Sequence, residues 1–338
     1  MRVPSTTRRG VRRPGMSGPA RVGLLVVSVI AVLAAPITAL SGLATPSGAA
    51  TARGIGPVPS GYRMLAADGG VFSFGAPFFG APSADPTRCV RNPDARSMPD
   101  GSCWSMAPTP DGDGYFVLDA FSGKIYPYGD AASFGQPADS FGGAGADLWP
   151  NSVGLALTPD GKGAWVLEQG LSGMASVQAF GDATSYGDPL TSRLDTKGVA
   201  VGIVGTADGK GYWLVFSDGG VFAYGDAPFF GSMGGRTLAA GVVGMARTPD
   251  GRGYWLAAAD GGVFAFGDAA FEGSVAGLRL AAPVIGMAAD PSGPGYWLGA
   301  SDGGVFALGG APFAGSMAGR WLASPVVAIT ASFGTPAA

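Results

Sequence analysis

The stretch Gly253–Ser274, GYWLAAADGGVFAFGDAAFEGS, is written six times along this chain with small changes. Its best copies begin at Gly211, Gly253 and Gly295, 42 residues apart, and looser copies begin at Gly61, Gly114 and Gly163, giving intervals of 53, 49 and 48 residues before the regular spacing sets in. A short apolar run ending in a turn, such as VVGMARTPDG at 242–251, precedes every copy except the first, and an orphan run, PVVAITAS at 325–332, follows the last. Six hairpins and six lead strands, displaced by one place, are what a ring requires if its last strand completes its first unit.

Each copy carries its own turn chemistry. In the fifth, Val242–Ala246 is the lead strand, Thr248-Pro249-Asp250-Gly251 turns the chain, and Tyr254–Ala259 runs back. Asp260-Gly261-Gly262 then predicts a tight two-residue hairpin turn with positive backbone angles at its centre, leading to a strand over Val263–Phe266. After Gly267-Asp268-Ala269, Phe271–Ser274 is expected to add a short outer strand. Alternation puts Tyr254 and Leu256 on one face and Trp255 on the other, with Phe264 and Phe266 sharing a face, so both faces of the hairpin are apolar. Such a unit needs a neighbour on each side. The second and third copies replace the Asp-Gly-Gly turn, by Phe121-Ser122-Gly123-Lys124 and by Glu168–Ser176.

The fold expected is therefore all-β, a six-bladed β-propeller over residues 61–332 closed by the C-terminal strand. Radial closure removes the sheet edges that an open array would expose. A β-solenoid is the alternative, but it gives no reason for a final lead strand that complements the first hairpin. Seven blades result if Asp139–Leu148 belongs to a degenerate unit.

Before the repeats, Arg2, Arg8, Arg9, Arg12, Arg13 and Arg21 lead into an uncharged apolar run, Val22–Leu40, and Ala50-Thr51-Ala52 offers a cleavage site. Residues 1–52 are expected to be a signal peptide or, if retained through 22–40, an N-terminal membrane anchor. Residues 53–60 form a short linker and 333–338 a tail. From Arg53 onward 15 basic side chains face 24 acidic ones, which argues against a nucleic-acid partner. The chain has no histidine, which removes histidine-based acid–base chemistry and histidine metal sites. Its two cysteines, Cys89 and Cys103, lie in the long insertion between the first two copies and in an exported protein are expected to pair.

Gly-Tyr-Trp-Leu, Asp-Gly-Gly-Val-Phe and Phe-Gly-Asp-Ala-x-Phe-x-Gly-Ser together resemble the Gly- and aromatic-rich propeller repeats of exported actinobacterial proteins, some of which attach such repeats to cell-wall hydrolases or other extracellular enzymes. The resemblance spans 61–332 and is closest over 211–316. It implies an extracellular β-propeller with an accessory or binding role, and supplies no catalytic residues.

The repeated aromatics Tyr212, Trp213 and Phe222, Tyr254, Trp255 and Phe264, and Tyr296, Trp297 and Phe306 recur in every good copy. Packing between blades explains that recurrence better than a repeated sugar-stacking surface, because every blade must solve the same burial problem. The Asp residues before Gly-Gly and after Gly read as turn formers, and no metal or cofactor is expected. Individuality lies where the repeat breaks: the basic residues Arg88, Arg91 and Arg96 of the 81–103 insertion, and Glu168 and Gln169 in the irregular 168–176 turn. These are the candidate binding residues of a monomeric, non-catalytic scaffold, secreted or held at the cell surface, for an extracellular protein or a cell-wall glycan. A carboxylate-dependent glycan hydrolase or lyase using Glu168 and Glu272, the only glutamates, is one alternative, and a purely structural envelope protein the other.

Overall fold

The computed structural model describes residues 60–82, 104–120, 123–134, 151–170, 175–192 and 196–332. The first hairpin is β1 (Gly61–Ala66) and β2 (Val71–Phe74). Five units of lead strand plus hairpin follow. These are β3 (Trp104–Pro108), β4 (Gly114–Asp119) and β5 (Ile125–Gly129); β6 (Asn151–Leu157), β7 (Gly163–Gln169) and β8 (Ala175–Gly181); and β9 (Ala200–Gly205), β10 (Gly211–Phe216) and β11 (Val221–Gly225). The last two are β12 (Val242–Arg247), β13 (Gly253–Ala258) and β14 (Val263–Gly267), and β15 (Val284–Ala289), β16 (Tyr296–Ala300) and β17 (Val305–Leu308). The chain returns as β18 (Val326–Ser332). That strand pairs antiparallel with β1, from Gly61 opposite Ser332 to Ala66 opposite Val326, and makes the first blade a sheet of order β18-β1-β2.

The six sheets close into a ring. Their lead strands are innermost, each beside the next from β3 through β6, β9, β12 and β15 to β18, and β18 stands beside β3. The fold is a six-bladed β-propeller. Residues 139–148, where a seventh blade was conceivable, lie outside the described residues. Blades 2 and 3 nevertheless pack directly together, with Phe116 and Leu118 against Ala164 and Val166, and the Ser152 N–H donates to the carbonyl of Ala120.

Each middle strand is buried on both faces, and the alternation expected from sequence divides its side chains between two junctions. Tyr254 and Leu256 join the cluster of Trp213 and Val215 in blade 4, while Trp255 and Ala257 join that of Tyr296 and Leu298 in blade 6. The other four junctions repeat the scheme, including the closing one, where Trp297 meets Tyr62 and Met64. Lead strands also approach closely: a Cβ on Gly244 would stand 3.2 Å from the Cα of Gly286.

Two local expectations are corrected. Among the described residues every sheet has three strands, and Phe271–Ser274 forms no outer strand. The segments after the third strands are held by side chains instead, as shown below, and proline at 77, 228 and 312 removes an N–H that a ladder would use. The Asp-Gly-Gly turn is also wider than two residues. Ala258 N–H bonds the Gly262 carbonyl, Gly261 alone takes a positive φ of 82°, and the Asp260 carboxylate accepts from Gly262 N–H at 2.9 Å.

Removing residues 325–338 is expected to expose one edge of β1 and to take the buried Val326 and Val327 out of their clusters, a loss of several kcal/mol, on the order of two buried aliphatic side chains plus their ladder bonds. Hydrogen exchange followed on β1 and β3 should show protection collapsing on both sides of the gap. Unchanged protection would mean that the ring does not depend on this strand.

Candidate functional site

The shared register of Tyr and Trp in the best copies serves as an interlock. Tyr62, Tyr212, Tyr254 and Tyr296 are buried, and each hydroxyl donates to a glycine carbonyl in the outer segment of the preceding blade: Gly315 at 2.5 Å, and Gly187, Gly231 and Gly273 at 2.6 Å. Tyr115 does the same to Gly80. The hydroxyls of Tyr62, Tyr115, Tyr212 and Tyr254 also accept a backbone N–H from that segment, at 3.2–3.3 Å. Burial pushes the Tyr212 phenol up to about 12, which keeps it a donor across the ordinary pH range. The indoles of Trp165, Trp213, Trp255 and Trp297 donate to carbonyls in their own blade's outer segment, at 2.7–2.9 Å. These aromatics are therefore occupied in holding blades together. Phe222, Phe264 and Phe306 are half-buried against the same clusters.

Arg63 stands where the best blades carry tryptophan, and is fully buried. Its Nε donates to Pro77 O at 3.0 Å, the counterpart of the Trp213 bond to Pro228, and its Nη2 reaches Gly112 O in blade 2 at 3.3 Å. The guanidinium lies 5.4 Å from the Phe79 ring and 4.9 Å from Tyr115, the positions that Phe230 and Tyr254 hold around Trp213. Nη1 has no partner, and burial lowers the pKa of the group.

Of the candidate binding residues, Arg88, Arg91 and Arg96 lie outside the described residues, as do Cys89 and Cys103. Glu168 and Gln169 end β7 and are buried rather than raised on a rim. Gln178 Nε2 and Ser176 Oγ donate to Glu168 Oε2 at 3.1 and 3.4 Å, whereas Oε1 has no partner. Gln169 Oε1 accepts Ala200 N–H at 2.7 Å, tying blade 3 to blade 4, and its Nε2 is unpartnered. Burial pushes the Glu168 carboxyl up to about 7, against those two donated bonds. Glu272 sits on the outer segment between blades 5 and 6, its Cβ packed near Gly309, so the two glutamates do not form a facing pair. The turn aspartates behave as expected. Asp160, Asp208 and Asp250 each accept the hydroxyl of the preceding Thr and the N–H two residues on, beside Lys162, Lys210 and Arg252.

Two surfaces were missed from sequence. Phe78, Phe229, Phe271 and Phe313 share one register of the outer segment and are exposed by 59%, 60%, 60% and 61%. They belong to blades 1, 4, 5 and 6, which are consecutive around the ring, while blades 2 and 3 carry exposed Ser133 and Ser185 there. The second surface is the central channel. Met106, Leu155, Ile203, Met245, Met287 and Ile329 form a waist between a pocket of about 190 Å³ and a wider funnel of about 640 Å³. The funnel opens where Pro110, Pro159 and Pro249 begin the lead-to-middle turns, and Arg247 is the one charged side chain lining it among the described residues. Among those residues no group of three or more acidic or cysteine side chains is placed to hold a metal ion, and no helix is long and apolar enough to cross a membrane.

No known protein-family model matches the chain, and no curated protein matches it. Among solved structures it is similar to the β-propeller domain of Myceliophteria thermophila Cps50 (Swd1), with 8% sequence identity and a TM-score of 0.39, over 66% of this chain and 69% of that one. The fold assignment rests on the closed strand order of the chain itself.

Two variants test this account. Arg63→Trp restores the indole bond to Pro77 and removes an unpaired buried charge, and is expected to raise stability by about 1–3 kcal/mol in urea unfolding; a lower midpoint would show that Arg63 is required where it stands. Glu168 has a folded pKa above its usual 4.5, so its contribution to stability is present below pH 4.5 and is lost as pH rises towards about 7. Glu168→Gln should therefore gain up to about 3 kcal/mol over the wild type at pH 8 and little at pH 4. An equal difference at both pH values would remove Glu168 as the cause.

Proposed function

We propose that this chain is a non-catalytic binding scaffold of the cell exterior or envelope, and that its partner is an extracellular protein or a cell-wall glycan. The observation that supports it is the exposed phenylalanine arc. Phe78, Phe229, Phe271 and Phe313 repeat at matched exposure on four consecutive blades, whereas the buried Tyr and Trp of the same repeats already satisfy the packing between blades. An aromatic side chain left in water at one register costs solubility, and blades 2 and 3 show that serine fills the same position. Aromatic faces spaced by a repeat suit a partner with a repeat of its own, such as a glycan strand, or an apolar protein face.

The basic N-terminal region and the apolar run at 22–40 support export, as does the likeness to exported actinobacterial propeller repeats. The fold supports the scaffold half of the reading: rigid blades hold their surface residues at fixed positions without supplying a reaction centre.

The test is a four-site variant, Phe78→Ser, Phe229→Ser, Phe271→Ser and Phe313→Ser, compared with wild type for co-sedimentation with isolated cell envelopes and purified cell-wall glycan. Each change copies what blades 2 and 3 carry, so the thermal midpoint should hold. Binding should fall by about tenfold or more. Equal binding by the two proteins would sink the aromatic-arc reading, and failure of the wild type to bind any envelope fraction would leave a structural role.

A further inference from the structure

The funnel of the central channel has a chemistry of its own. Its floor is the waist of methionine, leucine and isoleucine, apolar and, through three methionines, able to adapt to the shape of what it holds. Its volume of about 640 Å³ lies within the range of small-molecule sites. Two residues further along each lead strand, each blade contributes one position: Pro108, Leu157, Gly205, Arg247, Ala289 and Ala331, paired with Ala164 in blade 3 and with a tyrosine in the other five. Five are uncharged, and blade 5 alone carries a cation.

Arg247 is held there. Its Nη1 donates to the carbonyls of Thr248 and Pro249, both at 3.2 Å, which anchors the guanidinium to the turn at the funnel mouth. Nε and Nη2 bond no protein group among the described residues, and no carboxylate pairs with the side chain there. Asp250, the nearest acidic residue in sequence, is occupied by the Thr248 hydroxyl, Arg252 N–H and the Arg252 guanidinium. Burial lowers the Arg247 pKa, with the charge of Asp250 acting in the opposite direction, and an anion seated against the guanidinium would offset that burial. The two unspent donors, Nε and Nη2, form the side-on fork that matches the two oxygens of a carboxylate.

We infer that the funnel is a binding site for an apolar monocarboxylate, with the carboxylate bridged by Nε and Nη2 of Arg247 and the apolar body seated on the waist of Met106, Leu155, Ile203, Met245, Met287 and Ile329. The site is separate from the phenylalanine arc, which lies on the outer segments of the blades, and it stands or falls independently of the envelope reading.

Calorimetric titration of the whole chain with decanoate, decanol and acetate tests it. Decanoate should bind one molecule per chain, with decanol weaker by about tenfold or more and acetate weaker still, because neither the charge nor the apolar body suffices alone. Arg247→Met keeps the apolar stem and removes the fork: decanoate should fall to the affinity of decanol while decanol is unchanged. Arg247→Lys should recover only part of the loss, since an ammonium has no fork. Thermal midpoints of both variants, taken without ligand, establish that the ring is intact. Equal binding of decanoate and decanol by the wild type, decanoate affinity unaltered in a folded Arg247→Met, or no decanoate binding up to its solubility limit would each overturn the assignment.

Discussion

A three-stranded sheet that is apolar on both faces cannot be stable alone, and everything else in this protein follows from that. In blades 4, 5 and 6 the middle strand presents Tyr and Leu to one neighbour and Trp to the other, and every blade exposes two largely apolar faces until it has two partners. A row of blades would leave one such face bare at each end. Only a ring satisfies all of them, and the displaced lead strand makes the ring covalently economical: β18 and β1 come from opposite ends of the repeat array, so pairing them fastens the circle at the place where the chain is interrupted.

The hydrogen bonds of the outer segments show why three strands suffice. A fourth strand would protect the third by a ladder, but here the Tyr hydroxyl and the Trp indole reach the outer segment from two adjacent blades and satisfy its carbonyls one by one. This arrangement leaves the outer segment irregular, with its glycines at positive φ, and turns its phenylalanine outward. The exposure of this position is thus a consequence of how the blades are locked, whereas its filling by phenylalanine is not, since blade 3 keeps the same bonds with Ser185 there.

Much of this was legible in the sequence because the repeats state it several times. The closing strand, the order of strands within each blade, the inward Tyr and Trp and the turn aspartates were all readable from period and register. The missing outer strand was not, since Phe271–Ser274 looks as extended as any strand until the indole and phenol that hold its carbonyls are seen. The width of the Asp-Gly-Gly turn was misread for a related reason: the dipeptide signals positive φ without saying which glycine takes it. Glu168 and Gln169 broke the repeat and were therefore expected at the surface. A break in register identifies individuality, but which side of the chain it faces depends on packing, and here the extended β7 carries both residues inside. Arg247 differs from its five counterparts as clearly as Arg63 does from the tryptophans, yet a sequence gives no hint that the lead strands enclose a funnel.

The junctions are also unequal, and the inequality lies in three substitutions. Between blades 1 and 2 the tryptophan is Arg63, which keeps the bond to the outer segment and adds one to the neighbouring turn at the cost of a buried charge. Between blades 2 and 3 both halves of the interlock are replaced, Phe116 standing for tryptophan and Ala164 for tyrosine, so blade 2 has no indole to bond its own outer segment and no phenol bond crosses from blade 3. Beside the Ser152 to Ala120 backbone bond, the contact there is apolar, with Phe134 filling the space against Phe116 at a centroid separation of 4.8 Å. Dispersion and burial, with the Ser152 N–H bond to the Ala120 carbonyl, hold this seam without the Tyr hydroxyl bond that crosses the others. Strain reaching the ring is therefore expected to concentrate here, between the two blades that carry serine in place of the exposed phenylalanine and opposite the regular blades 5 and 6. The regular half thus presents most of the repeated aromatic surface, and the half that departs from the repeat contains the junction without the Tyr and Trp interlock.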